Sequence, residues 1–437
     1  MKIKLLSFLM LFTSIIYSQN IDINKIDDYI NYIEKNNQDI GSLSIFKDGK
    51  EVYNRSFGQK NVTDLVFNKD TKYQIGSISK LFTATLIFQL IEKGKLNLND
   101  KLSGFYPQIP NAEKITIKNL LEHSSGLGDY AIVENNPTWL TKKVDEKTII
   151  DEIIKQGVSF EPNEKTQYSN SGYYLLSRIL EKKYNSNYYS ILENNIIKPL
   201  KLKNINSYNL KNSNFFKSYG FSNNWEEIKE FEFSNVIGLG DIIATTETLN
   251  IFINNLFQYK ILKKETIENM KPTKVKEAFG KGIMLIPFYK NISYGHGGDT
   301  YGTHSVVSYD EKSKISISYS INGERFLHND FAIGLLSIIY NKDYKYPVFI
   351  KSIMLKSEDL DKYLGVYSTE SFPLKLTISK EGNVLKAQGT GQPSFPLECY
   401  EINKFKFDQA QLKIEFVTTE SKLIIDQGGN IIELKKE

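Results

Sequence analysis

The sequence predicts an α/β fold that passes into a small antiparallel β-domain, and three observations carry that prediction. The first is size: 437 residues, 41% of them apolar, exceed what one hydrophobic core usually serves, so two folded units are expected. The second is the alternation of helical and strand-like patterns up to about residue 340. The third is a change of period beyond residue 357, where short alternating stretches broken by Gly, Asn and Asp replace the helices.

Taken in order, residues 1–18 place Lys2 and Lys4 before an apolar stretch from Leu5 to Ile16. That is the pattern of a secretory signal peptide and is too short to span a bilayer. Cleavage is expected after Ser18, although Ile16 stands where a small residue is usual. A periplasmic or secreted protein follows. The one cysteine, Cys399, leaves no lipidation site behind the leader and no disulfide framework, and it reads as buried packing.

Residues 23–36 read as a helix, and 40–47 and 51–58 as strands joined by the Asp48-Gly49 turn. An apolar helix follows Lys80, and 171–183 form another behind the turn-like Glu161-Pro162-Asn163-Glu164. Strands are expected at 291–294, 303–309 and 314–321, and a last helix at 331–340. The polar stretch 341–347 reads as a linker, followed by strands at 374–378, 405–407 and 412–416. The expected division is a leader over 1–18, a main domain over 19–345 and a small β-domain over 357–437.

Charge narrows the partners. With 55 Lys and Arg against 51 Asp and Glu, the formal net charge is +4, which is no footprint for nucleic acid or an anionic membrane. The lysines at 271–276 read as solvated surface.

Ser77 and Lys80 stand just before the apolar run 81–90, behind Gly76. On a helix, side chains three apart share a face, so a hydroxyl and an amine can meet there. The same spacing at Ser44 and Lys47 lies in a strand-like run, where positions three apart point to opposite faces. Tyr168-Ser169-Asn170 precedes the helix at 171–183 on a loop; the same Y-x-N spacing at Tyr29 and Asn31 lies inside the first helix and is idle. His296-Gly297-Gly298 ends a strand, where glycines allow a ligand or another backbone to come close.

In this order and at these separations the three motifs resemble those of the penicillin-recognising serine hydrolases: class C β-lactamases, D-alanyl-D-alanine carboxypeptidases, D-aminopeptidases and related esterases. Leu120-Leu121-Glu122-His123-Ser124-Ser125-Gly126-Leu127, Lys198-Pro199-Leu200 and Gly240-Asp241-Ile242-Ile243-Ala244-Thr245-Thr246 are similar to further family segments. The resemblance spans about residues 22–340 and implies a three-layer α/β/α domain around an antiparallel sheet; more loosely, the C-terminal region resembles the lipocalin-like barrel appended to some members. It implies acyl-enzyme formation at Ser77, proton transfer by Lys80 or Tyr168, and substrate contacts from Asn170, His296, Gly297, Gly298 and Asp299. The backbone N–H groups of Ser77 and Asp299 would form the oxyanion hole. Lys80 can act as base only when neutral, and near pH 7 roughly one ordinary lysine in 2,500 is; neutrality requires destabilising the ammonium by about 4.6 kcal/mol. A protonated His296 would add to the field that does so.

Gly297 departs from the family pattern, because members that hold a substrate carboxylate often carry a hydroxyl there. Small-molecule or peptide substrates remain open: amides, esters, D-amino-acid peptides and β-lactam-like rings. The alternative is a catalytically silent, penicillin-binding-like sensor. No G-x-S-x-G elbow occurs, Gly238-Leu239-Gly240 reads as a turn and His123 as structural, and the histidines His123, His296, His304 and His328 show no zinc-motif spacing, so neither metal nor cofactor is expected. The aromatics Trp139, Phe215, Phe216 and Trp225 are candidate pocket walls, with packing the default reading of each. Oligomeric state is left open.

Overall fold

The computed structural model describes residues 21–62, 68–132, 141–207, 215–228, 232–273, 278–370 and 372–437. The leader expected over 1–18, together with Trp139, lies outside the described residues. No helix among those described is long and apolar enough to cross a membrane.

An antiparallel sheet organises the larger part of the chain. Six of its eight described strands are β1 (Asp39–Lys47), β2 (Lys50–Phe57), β3 (Met284–Phe288), β4 (Asn291–Asp299), β5 (His304–Asp310) and β6 (Ile315–Glu324), in the order β2-β1-β6-β5-β4-β3, and the hairpin Tyr219–Ser222 and Asn224–Glu227 joins beside β6. The N-terminal hairpin thus joins the C-terminal meander through β1 and β6, so the sheet closes only after most of the chain is present. The alternation in β1 and β6 explains the layers on either side. Leu43, Ile45, Ile317, Tyr319 and Ile321 face α1 (Ile23–Lys35) and the last helix, His328–Ile339, in one core. Ser44 and Ser316 face the helix Thr246–Phe257 on the other side, where Asn250 and Asn254 donate to them at 3.1 and 2.6 Å. Small hydroxyl residues let that helix lie close to the sheet.

The larger core surrounds α2 (Ser79–Glu92), whose residues are buried on nearly every face. A helix enclosed by protein needs no polar stripe, which is why its sequence is a continuous apolar run. The helix α3 (Asn170–Tyr184) packs beside it.

Beyond residue 357 the strands from Gly365–Thr369 to Asn430–Lys436 form a closed eight-stranded barrel. Tyr363, Phe405, Phe416 and Ile414 fill its interior, and Cys399 is buried with them. Two expectations need correction. The linker at 341–347 is docked, not a free spacer: Tyr344 and Tyr346 pack on Tyr29, and Tyr32 donates to Pro347 O at 2.6 Å. Of the lysines at 271–276, Lys271 is buried between Glu268 and Glu311, at 2.8 and 2.6 Å, and is not solvated surface, while Lys274 and Lys276 lie outside the described residues.

Candidate active site

Ser77 sits in a single 3-10 turn, Gly76–Ile78, that runs into α2. Side chains three apart eclipse in such a turn, and Lys80 Nζ lies 2.9 Å from Ser77 Oγ. Gly76 adopts φ +50°, and a Cβ there would stand 2.8 Å from Asp299 O. A Cβ on Gly298 would stand 2.0 Å from Ile75 O and 2.9 Å from Ser77 N. The two glycines therefore let the end of β4 lie directly against the Ser77 turn.

That end of β4 is an open sheet edge. Pairing with β3 stops at Gly295, while pairing with β5 continues to Asp299. Thr300 N–H donates to Thr303 O at 2.9 Å, and alternation along an antiparallel ladder then turns the N–H of Asp299 away from β5, towards the open edge.

Tyr168 donates to Ser77 Oγ at 2.8 Å. Its ring is held by His123, stacked at 4.4 Å, and by Phe279 at 5.5 Å, and burial keeps its phenol protonated far above the usual range. His123 accepts from Ser169 N–H at 3.2 Å, the structural part expected of it. Asn170 opens α3 and presents Oδ1 to Lys80 Nζ at 2.8 Å.

Lys80 is wholly buried. Desolvation brings its ammonium down to about 7, against the opposing attraction of Asp129. Besides Ser77 and Asn170, it meets Leu239 O at 3.2 Å. Two of these three neighbours, the Asn170 and Leu239 oxygens, only accept. A neutral amine that donates its two hydrogens to them has its lone pair left for the Ser77 hydroxyl.

The sequence did not reveal Asp129 or the Leu239 carbonyl. Asp129 accepts from Asn170 N–H and Nδ2 at 3.1 and 2.9 Å, holding the start of α3 and fixing which end of the amide faces Lys80. The turn read at Gly238-Leu239-Gly240 is present, with Gly238 at φ +77°, tied by Gly238 N–H to Asp241 Oδ1 at 2.8 Å. Its purpose is to aim a main-chain oxygen, which no side-chain pattern announces.

His296 differs from expectation. It is 2% exposed, and burial aided by the Lys80 charge holds its imidazole down to about 4, so at neutral pH it supplies no positive field and no cation for a substrate. Gly297 faces open space, the nearest atom to a Cβ being Ser305 O at 3.9 Å.

A cleft of about 250 Å³ opens over Ser77, lined by Gly76, Asn170, Ile132, Phe233, Val236, Leu239 and Tyr301, with Glu232 and Asp299 as its charged members. The three described aromatics considered as pocket walls pack away from this cleft, in keeping with their default reading. Phe216 packs on Tyr73, Trp225 donates to Asn37 Oδ1 at 2.8 Å, and Phe215 lies under Lys217.

The chain is similar to several known proteins. Penicillin-binding protein 4* of Bacillus subtilis (strain 168) is 31% identical over 409 residues, covering 86% of this chain and 89% of its own length. The teichoic acid D-alanine hydrolase of Staphylococcus aureus (strain MRSA252) is 25% identical, covering 70% and 77%. The D-amino acid amidase of Ochrobactrum anthropi SV3, solved with D-phenylalanine, superposes with a TM-score of 0.64 at 22% identity, over 73% of this chain and 99% of its own. The family model described as Beta-lactamase matches residues 33–334, which takes in the Ser77 turn, the Tyr168 loop and the β4 edge, and the chain belongs to that family.

Proposed function

We propose that the protein is a secreted serine hydrolase that forms an acyl-enzyme at Ser77 on small D-aminoacyl amides or esters. The observation that carries this reading is the hydrogen-bonded chain Tyr168–Ser77–Lys80, with the lysine buried and brought down to about 7. Near neutral pH about half of Lys80 is then uncharged, against roughly one in 2,500 for a free lysine.

Lys80 takes the Ser77 proton as Oγ attacks the carbonyl carbon, since its lone pair faces the one neighbour able to donate. The N–H groups of Ser77 and Asp299 hold the developing oxyanion; one such donor is worth about a hundred- to a thousand-fold. The C–N or C–O bond breaks, and the proton passes from Lys80 through the Tyr168 hydroxyl to the leaving atom. Water repeats the sequence on the acyl-enzyme. Tyr168 works as a protonated relay, because its burial disfavours the phenolate.

Three features support the substrate class. A cleft of about 250 Å³ lies below the roughly 300–1,000 Å³ of pockets for drug-sized ligands, which favours a small acyl group. Its charged lining is Glu232 and Asp299, with no lysine or arginine among the described lining residues, which suits a free α-ammonium and disfavours a carboxylate beside the scissile bond. Gly297 offers no hydroxyl to such a carboxylate. Two similar proteins are named for D-alanine and D-amino acid hydrolysis.

The test compares D-alanine p-nitroanilide with its N-acetyl form and with a chromogenic cephalosporin. The free amine should give a kcat/KM at least about tenfold higher, the scale of one charge-assisted contact. Equal rates on the acetylated compound, or a preference for the cephalosporin, would overturn the substrate assignment.

A further inference from the structure

The end of β4 carries a second polar cluster, of which the proposed hydrolysis uses only Asp299, a charged member of the cleft lining. Asp299 and His304 face each other across the β4–β5 ladder, with Asp299 Oδ1 2.8 Å from His304 Nδ1. His328, the first residue of the last helix, stacks its ring on His304 at 4.2 Å. Glu324 stands behind both imidazoles, 2.9 Å from His304 Nε2 and 2.9 Å from His328 Nδ1.

We propose that Asp299, His304 and His328 bind a borderline divalent cation such as Zn²⁺ at the rim of the cleft, with Glu324 as the carboxylate that orients both histidines. By accepting from one nitrogen of each ring, Glu324 fixes the tautomers. The remaining nitrogens, His304 Nδ1 and His328 Nε2, are the ligand atoms; His304 Nδ1 donates to Asp299 Oδ1 at 2.8 Å, so an incoming ion takes the place of that proton. A carboxylate behind metal-bound imidazole is the usual arrangement for raising ligand basicity and fixing ring orientation. Glu324 is itself anchored, because its Oε1 also accepts from His328 N–H at 2.6 Å.

One ligand atom from each of the three residues lies within 4.8 Å of the others. Bonds of about 2.0 Å to a tetrahedral ion require about 3.3 Å between ligand atoms, so binding opens the 2.8 Å Asp299–His304 contact and tilts the stacked rings to bring His328 to the same spacing. Asp299 has the freedom to do this: its side chain is 73% exposed and leads into the Tyr301-Gly302 turn. Two imidazoles and one carboxylate favour Zn²⁺ or Co²⁺ over Mg²⁺ or Ca²⁺, and the fourth position is left to water. The ligands come from two strands and a helix, so no local spacing in the sequence displays them.

The test needs no turnover, and its outcome is therefore separate from that of the hydrolase reading. The whole protein, freed of metal with EDTA and dialysed, is titrated with ZnCl₂ by calorimetry and with CoCl₂ by visible absorption. One ion per chain is expected, with the visible bands of low-coordinate Co²⁺. Affinity should fall at least about tenfold in His328→Gln and in His304→Gln, and about 10- to 100-fold in Glu324→Gln, each variant being checked for an unchanged melting profile. Absence of binding to the wild type, or binding that all three variants retain, would overturn the proposal.

Discussion

At the scale of single residues, the central fact is an amine with no water around it. Lys80 is held at about 7 by burial alone, with Asp129 pulling the other way. Protonation removes the lone pair, so activity is lost as pH falls through that value and is full above it. The initial acylation rate of a p-nitrophenyl ester should be half-maximal near pH 7 and drop about tenfold per unit below pH 6. A rate independent of pH between 5 and 9 would contradict a role for Lys80 as base. Ser44 and Lys47 show how much of this chemistry depends on placement: in β1, Ser44 donates to Glu51 at 2.9 Å, while Lys47 bonds Ser313 O. Ser77, Lys80, Tyr168 and Asn170 were legible because each motif sits where a helix or loop would present it. Asp129 and Leu239 were not, because a lone acid and a main-chain oxygen leave no pattern. His296 was misread as a possible cation, since its burial depends on the whole sheet.

Among the elements, the contact of β4 with the Ser77 turn decides whether the oxyanion hole exists. Gly298 is the position where that contact is tightest, with main chain on the opposing side. Gly298→Ala forces β4 away from Ile75 and Ser77. The expected result is a loss of at least about a hundred-fold in kcat/KM, far beyond any change in KM alone, in a protein that still folds; activity within about threefold of wild type would show that the strand edge is not part of the site. The strands and helices themselves were largely readable from period. Residues 291–294 were extended by the structure to Asn291–Asp299, so the motif lies on the strand itself. Alternation in β1 separates a hydrophobic face from a serine face, and the partner of each face is set by tertiary packing.

For the molecule as a whole, the question is how the barrel is joined to the domain that carries the cleft. Arg325 follows Glu324 at the end of β6 and reaches Glu398 of the barrel at 2.5 Å and Asn37 O at 2.9 Å. Its guanidinium also covers Phe221 at 3.6 Å. Because both ends of the Arg325–Glu398 pair are mostly buried, Arg325→Met should cost about 1.5–3 kcal/mol in urea unfolding, the range for hydrogen bonds to charged groups. A change under about 0.5 kcal/mol would make it an ordinary surface pair. Composition could announce two folded units, but not that the barrel is tethered beside the strand bearing Glu324 or that the linker aromatics are docked on α1.

The proposed function rests on a serine made nucleophilic by a buried amine. Intact-mass analysis after incubation with a fluorophosphonate at pH 8 tests this most directly. The account predicts one adduct per chain, mapped to the peptide containing Ser77, absent in Ser77→Ala and formed at least about a hundred-fold more slowly in Lys80→Met. An unmodified wild type, or an adduct that persists in Ser77→Ala, would contradict it.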